Sequence, residues 1–394
     1  MEEMEERQKP KKRRRLWRRI STWRPGKAGS VFLLALIVIG TVAIIGNLDR
    51  MTIGHFNRAI QYSRLGSPGH AEEFRFANLG SNTFVTLGDG IAVASAGGLR
   101  FYDRSGALAY AAAFEMERPV VRSSGDYVLA YDLGGYSFQS GNRQSALVHM
   151  DEWEGRIIDA NINANGWIIV SAEQISYLGR ITVIDHRGVP IWAVNIGTES
   201  GHVIGAVLAN DNRTVAVLTM TDQGGRVAWM TVGAGGAIQA DYTYLRESEL
   251  FFDIWTRSNS GDVGVISGNT ILYLTSRGEV ESEYHFPDRH LRAYDIADGR
   301  AALYLSTSQT GPGGEIVILD PNGRDQRVEI SGNLLDLSLR GRFVAALFVD
   351  ELLIFRGTSR YARWRETEGM SNVLMREDGT VFRLSQHRAR LLVP

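Results

Sequence analysis

The chain has 394 residues, a formal net charge of −1 and no cysteine. The missing cysteine excludes disulfides, thiolate catalysis and Cys-ligated zinc or iron–sulfur centres. Glycine is plentiful at 43 residues and proline scarce at nine, which suits many tight turns between short strands better than disorder.

The near-neutral total hides an asymmetry. Residues 1–29 hold eleven Lys or Arg against four Glu, which leaves 32 basic and 40 acidic residues for the rest. All four lysines (Lys9, Lys11, Lys12 and Lys27) lie in this head. The mildly acidic remainder argues against binding a phosphate backbone, so no nucleic-acid partner is expected.

Residues 28–48, AGSVFLLALIVIGTVAIIGNL, carry no charge and include twelve Leu, Ile, Val or Phe. A helix of this length spans roughly 30 Å, about the hydrocarbon thickness of a bilayer. Its apolar residues sum to roughly −4 to −7 kcal/mol on the insertion scale, with no charge to oppose them. A buried core helix rarely runs so long without a polar face. A cleaved signal peptide would have a shorter apolar core and an A-x-A-like end, which Ala43-Ile44-Ile45-Gly46 does not supply. The expectation is an uncleaved single-pass anchor. The basic head (1–27) stays in the cytoplasm by the positive-inside rule, and the body is exported. The head's charge also suits anionic inner-leaflet lipids.

Residues 49–71 form a stalk and linker. Ile53, Phe56 and Ile60 allow a short helix within 50–65, and Gly66-Ser67-Pro68-Gly69 ends it.

From residue 72 to 394 the text turns to short apolar runs punctuated by Gly, Asn and Asp. One phrase recurs: strand, D-x-x-G-like turn, strand. It is seen at 101–110, 183–192, 273–282 and 318–327, with a degenerate copy at 231–240. Its glycines are Gly106, Gly188, Gly236, Gly278 and Gly323, and the spacing implies a repeat near 41–45 residues, that of a four-stranded propeller blade. The first interval is double, and the irregular stretch 148–156 takes the place of the missing turn. Asp or Asn opens such a turn by bonding nearby amides, and Gly supplies a positive φ. A second set of turns precedes the apolar strands at 123–131, 163–171, 210–218, 297–305 and 376–384. The fold class expected is therefore all-β, a β-propeller preceded by one transmembrane helix. Blades begin near Phe84, Pro119, Ile157, His202, Glu249, Leu291, Asn333 and Asn372. Eight blades are favoured and seven are the alternative. The lone strand 72–78 completes the short last blade and closes the ring, leaving no long open edge.

This order of phrases resembles an uncharacterised domain-of-unknown-function family from Gram-positive bacteria, whose members look like signal-anchored propellers. The likeness is sharpest at Ala130-Tyr131-Asp132-Leu133-Gly134-Gly135-Tyr136-Ser137-Phe138 with Asn142-Arg143, and at the FYDRSG turn. It implies fold and topology, and no activity comes with it. Asp185, Gly188 and Trp192 also resemble one repeat of the PQQ-type quinoprotein dehydrogenases, but the equivalent Trp positions elsewhere are Tyr110, Ala240, Ser282 and Arg327.

No catalytic, cofactor or metal signature emerges, and none of the three is expected. The eight histidines are scattered; His285 and His290 flank Pro287 in a loop. Asp151, Glu152 and Glu154 around Trp153 read as a solvated acidic loop, and Asn210-Asp211-Asn212 as an Asx turn rather than a calcium loop. Tyr131, Asp132, Gly134, Gly135, Tyr136, Asn142 and Arg143 form the most distinctive loop. They are a candidate ligand or partner site, with a tight turn between strands as the plainer reading. The expectation is a membrane-tethered, extracytoplasmic module binding a protein or cell-envelope component through loops at 132–142, 150–156, 197–202 and 307–314. The alternative is an extracytoplasmic enzyme with acid–base residues converging in the channel.

Overall fold

The computed structural model describes residues 73–76, 81–233, 240–257, 259–365, 367 and 369–394. The basic head, the apolar run 28–48, the stalk and Gly236 lie outside the described residues. Among those described, no helix is long and apolar enough to cross a membrane.

Eight antiparallel sheets of four strands each follow one another along the chain. In seven of the sheets chain order is also spatial order, because every connection is a hairpin or short loop; in the eighth, Glu73–Arg75 lies outside Arg388–Leu392. The innermost strands are Thr83–Leu87, Pro119–Ser124, Ile157–Ile162, His202–Leu208, Phe251–Thr256, His290–Ala297, Leu334–Arg340 and Asn372–Met375. The starts expected from the sequence lie within two residues of these, and the ring has eight blades. The middle strands are almost wholly buried, for example Ile168–Ala172 and Thr270–Leu274, so they read as continuous Val/Ile/Leu runs. The outermost strands alternate or face water, as in Val280–His285.

The core is a set of seams between adjacent blades. Ile181 and Val183 of blade 3 pack on Val215 and Val217 of blade 4. Tyr304, Ile316 and Ile318 of blade 6 meet Leu337, Val344 and Phe348 of blade 7. Each fully buried aliphatic contributes roughly 1.5–3 kcal/mol, and no blade could bury both faces alone.

Ring closure joins the two ends of the domain. Glu73–Arg75 pairs antiparallel with Arg388–Leu392, in the register Glu73 with Arg390 and Arg75 with Arg388. The carboxylate of Glu73 accepts from Nη2 and Nε of Arg390 at 2.7 and 3.2 Å. Phe74 packs edge-on to Phe382 at 6.3 Å and stacks with Tyr102 of blade 1 at 5.6 Å. A Cβ on Gly106 would meet the Phe74 ring at 2.4 Å, and its φ is +81°. That turn therefore needs glycine on two counts.

Replacing Glu73 with Arg is expected to remove the pair and oppose two guanidiniums, costing about 1–2 kcal/mol in urea unfolding. The same reversal at Glu377, which is exposed, is expected to leave the midpoint unchanged.

Candidate binding face and central channel

Chain direction fixes what each face of the ring carries. Every innermost strand runs the same way through its blade, so first-to-second and third-to-fourth turns emerge on one face. Second-to-third loops and blade-to-blade loops emerge on the other. Both turn families read from the sequence thus belong to a single turn face. There, Asp185 Oδ1 accepts from the amides of Arg187 and Val189, each at 2.9 Å, and the Gly188 amide donates to Asp185 O at 3.0 Å. Asp103 does the same for Ser105 and Ala107 at 2.8 and 3.0 Å. The glycines that follow have φ of +81° at Gly106, +86° at Gly188, +78° at Gly278 and +74° at Gly323.

Blade 2 departs from the sequence reading. Its turn is not the irregular stretch 148–156 but the tighter one at 143–145, between the strands Phe138–Asn142 and Ala146–Met150. Asn142 Oδ1 accepts from the amides of Gln144 and Ser145 at 2.8 and 2.9 Å. This shorter turn has no glycine and so lacks the D-x-x-G phrase that marks the others.

The structure divides the distinctive segment 131–143. Phe138–Asn142 is a strand, which makes the expected loop 132–142 two separate features. Leu133 to Ser137 lie on the loop face, where Gly134 N–H donates to Ile157 O at 2.7 Å. Asp132 is buried and its Oδ1 accepts from the amides of Glu117 and Arg118 at 2.9 and 2.7 Å. A Cβ on Gly135 would fall 1.9 Å from that carboxylate. Tyr136 is exposed and accepts from Arg156 Nε at 3.2 Å. Asn142 and Arg143 sit at the opposite end of the strand, on the turn face, with Arg143 near Asp89 and Asp126 at 3.7 and 3.5 Å. Tyr131 points elsewhere again, into the channel.

All eight innermost strands line a central cavity of about 530 Å³ that opens toward the turn face. A smaller one of about 260 Å³ lies toward the loop face. Arg122 and Asp253 line both cavities, so they form the partition between them. Arg122 Nη2 donates to Asp159 Oδ1 at 3.2 Å and lies 3.9 Å from Asp253 Oδ1. The pair therefore ties blade 2 to blades 3 and 5 across the axis. Desolvation works against the Arg122 charge, but Asp159 and Asp253 outweigh it and raise its pKa. Tyr131 Oη and Asn161 Nδ2 donate to Asp159 at 3.0 and 2.8 Å. A Cβ on Gly205 would come within 2.9 Å of Asp159 Oδ2, so blade 4 yields room for that carboxylate.

Three of the acids, Asp159, Asp253 and Asp336, are placed by a shared irregularity. Blades 3 to 7 each break register near the start of the innermost strand, at 157/159, 203/205, 251/253, 291/293 and 334/336. Such a bulge re-aims the next side chain. Asp159, Gly205, Asp253, Ala293 and Asp336 occupy that position. An innermost strand is an edge strand whose axial amides have no ladder partner. Asp336 Oδ2 accepts from Val373 N–H of the next blade at 2.8 Å, and Oδ1 from Leu337 N–H at 2.9 Å. Asp295 does likewise for Leu339 and Ile296 at 2.6 and 2.8 Å. Ser338 Oγ accepts from Met375 N–H at 3.0 Å. Asp253 accepts from Ile254 N–H at 2.9 Å and Tyr294 Oη at 3.0 Å.

Burial is the first cause that raises the pKa values of Asp253 and Asp295. It also pushes Asp336 up to about 6, with the charge of Asp295 adding to it. Among the described residues no three His, Asp or Glu are grouped to hold a metal ion. The convergence of these acids on the axis was not legible in the sequence. The only trace is an Asp at the third position of three innermost strands.

The loop face differs in chemistry from the turn face. Of fifteen large apolar side chains exposed among the described residues, eight lie on it: Tyr136, Ile175, Tyr177, Met220, Leu250, Phe252, Leu335 and Val349. Ile175 is 88% exposed. The turn face proper has Val189, and the rest belong to outermost strands. Scattered exposed apolar residues need no explanation, but a concentration on one face does. Trp153 covers Phe138 edge-on at 5.3 Å on this face.

These features define an eight-bladed β-propeller. Residues 71–229 match a family described as "Family of unknown function (DUF5711)", a span that includes the 101–106 and 130–143 phrases. No curated protein matches the chain. Among solved structures, it is similar to the computationally designed Ika8 protein, with a TM-score of 0.59 and 12% identity over 80% of this chain and 97% of that one. The C-terminal WD40 domain of Sif2 gives a TM-score of 0.58 and 10% identity over 84% and 100%. At such identity the likeness is one of fold.

Replacing Arg122 with Met is expected to cost roughly 2 kcal/mol at pH 7.5. That is below the value for a fully buried pair, because water in the cavity screens the guanidinium. Adding Asp159→Asn and Asp253→Asn should recover most of it in urea unfolding. A second outcome concerns pH. An acid with a folded pKa above its unfolded value of about 3.9 destabilises the fold at neutral pH, and that cost is released as pH falls through the folded value. Stability is therefore expected to rise by roughly 1–3 kcal/mol between pH 7.5 and 5. Carboxyl NMR should show Asp336 titrating near 6, and Asp295→Asn should lower that value.

Proposed function

We propose that the chain is a membrane-anchored, extracytoplasmic propeller that binds a protein or cell-envelope component through its loop face. The observation that carries this reading is the concentration of exposed apolar side chains on that face. Propellers expose a rigid ring of loops whose positions the sheets fix, which is a binding geometry rather than a reaction. The expected loops 150–156, 197–202 and 307–314 all belong to this face, as does the 133–137 part of the fourth. The anchor rests on the uncharged run 28–48 and its basic flank. The closing strand Glu73–Arg75 runs toward the loop face.

One observation favours a second reading, an enzyme centred on the channel: Arg122, Asp159, Asp253, Asp295 and Asp336 do converge there. Their bonding weighs against it. Each of the four carboxylates accepts hydrogen bonds on both oxygens from backbone, Tyr, Asn or Arg. Groups so engaged hold blades together at the expense of reactivity.

Because the chain has no cysteine, one introduced thiol reports topology. Ser308→Cys is expected to react with a membrane-impermeant maleimide on intact cells, and Ser21→Cys only after lysis. A photo-crosslinking residue at Ile175 or Phe252 should capture one defined partner, and the same residue at Val189 should not. Equal capture from both faces would defeat the assignment of the loop face.

A further inference from the structure

Charge on the loop face is uneven. Between Glu115 and Asp222 its loops expose eight Asp or Glu against two Arg. At the end of this arc, loops 197–201, 221–223 and the next blade's 248–250 surround a pocket of about 730 Å³. Its apolar wall is Leu178, Met220 and Leu250, and its rim carries Glu199 and Asp222. Met220 and Leu250 are 37% and 51% exposed. Among the described residues no Lys or Arg lines it. Two arginines of the same blade are committed elsewhere: Arg246 to Glu249 and Glu283 at 3.1 and 2.7 Å, and Arg226 to Ser200 O at 3.5 Å.

We infer that this pocket is the docking point for a basic segment of a partner protein. An apolar side chain of that segment sits between Met220 and Leu250, and flanking Lys or Arg face Glu199 and Asp222. The volume suits a few consecutive side chains rather than a whole helix. The acidic rim supplies steering and selects against anionic partners. An anionic bilayer or a nucleic acid would be repelled by the same arc. The inference rests on the loop face being the binding surface, and it adds the site and the charge of what binds.

The test uses the full chain in detergent and an array of short synthetic peptides in which positive charge and apolar content vary independently. Peptides with an apolar residue between Lys or Arg should bind at least tenfold more tightly than acidic–apolar or purely basic ones. Glu199→Lys with Asp222→Lys should weaken that binding about tenfold, and so should Leu250→Asp. Raising salt should weaken it in the parent protein and little in the charge-reversed one. All these positions are exposed, and an unchanged thermal midpoint would show that each variant is folded. If binding ignores peptide charge or these substitutions but is lost with Phe252→Asp, the pocket is overturned and the loop face stands. If no peptide binds, or only Val189→Asp on the turn face matters, both are overturned.

Discussion

Unpaired backbone at the inner edge is the constraint to which the rest of this ring answers. Eight sheets radiating from an axis present eight edge strands to one another, each with amides that no ladder satisfies. Burying them bare would cost roughly 1–3 kcal/mol apiece. The chain meets this with acceptors from the preceding blade: Asp336 for Val373, Asp295 for Leu339, Ser338 for Met375. The carboxylates pay in desolvation, which is why their pKa values rise. Arg122 completes the scheme by setting a positive charge beside two of the acids, Asp159 and Asp253. The polar axis is thus a structural keystone whose composition looks catalytic only when its bonds are ignored.

Much of the architecture was legible because repetition amplifies weak local signals. One D-x-x-G phrase is unremarkable; four at blade spacing, with a second family of turns between them, specify a ring and its blade starts. Legibility failed where the device varied. Asn142 builds a turn without glycine, and the outer turn of blade 2 was therefore misplaced while its start at Pro119 was not. It failed more completely for the axis. Asp159, Asp253, Asp295 and Asp336 are 41 to 177 residues apart along the chain, and only radial geometry makes them neighbours. The distinctive segment 131–143 taught the opposite lesson. Its residues are close in sequence, yet one strand separates Asp132 and Tyr136 from Asn142 and Arg143.

A division of labour follows from strand direction alone. Turns that reverse the chain within a hairpin must be short and self-bonded, so their side chains are spent on their own amides. Asp103 and Asp185 illustrate this. Connections on the other face cross between strands or blades, are less constrained, and can display Ile175, Tyr177 or Phe252 to solvent. Surface chemistry is free to diverge on one side of the ring while the other preserves its geometry.

The closing strand has a mechanical meaning. It is three residues long, and it is the first strand among the described residues. Tension applied at Glu73 along the strand would be carried lengthwise through Glu73–Arg75. That loading shears all three register pairs, the Glu73–Arg390 bond and the Phe74 stack at once instead of peeling them singly. A latch loaded in shear resists sudden force far better than one loaded at its tip, and its release would unfasten blade 8 from blade 1.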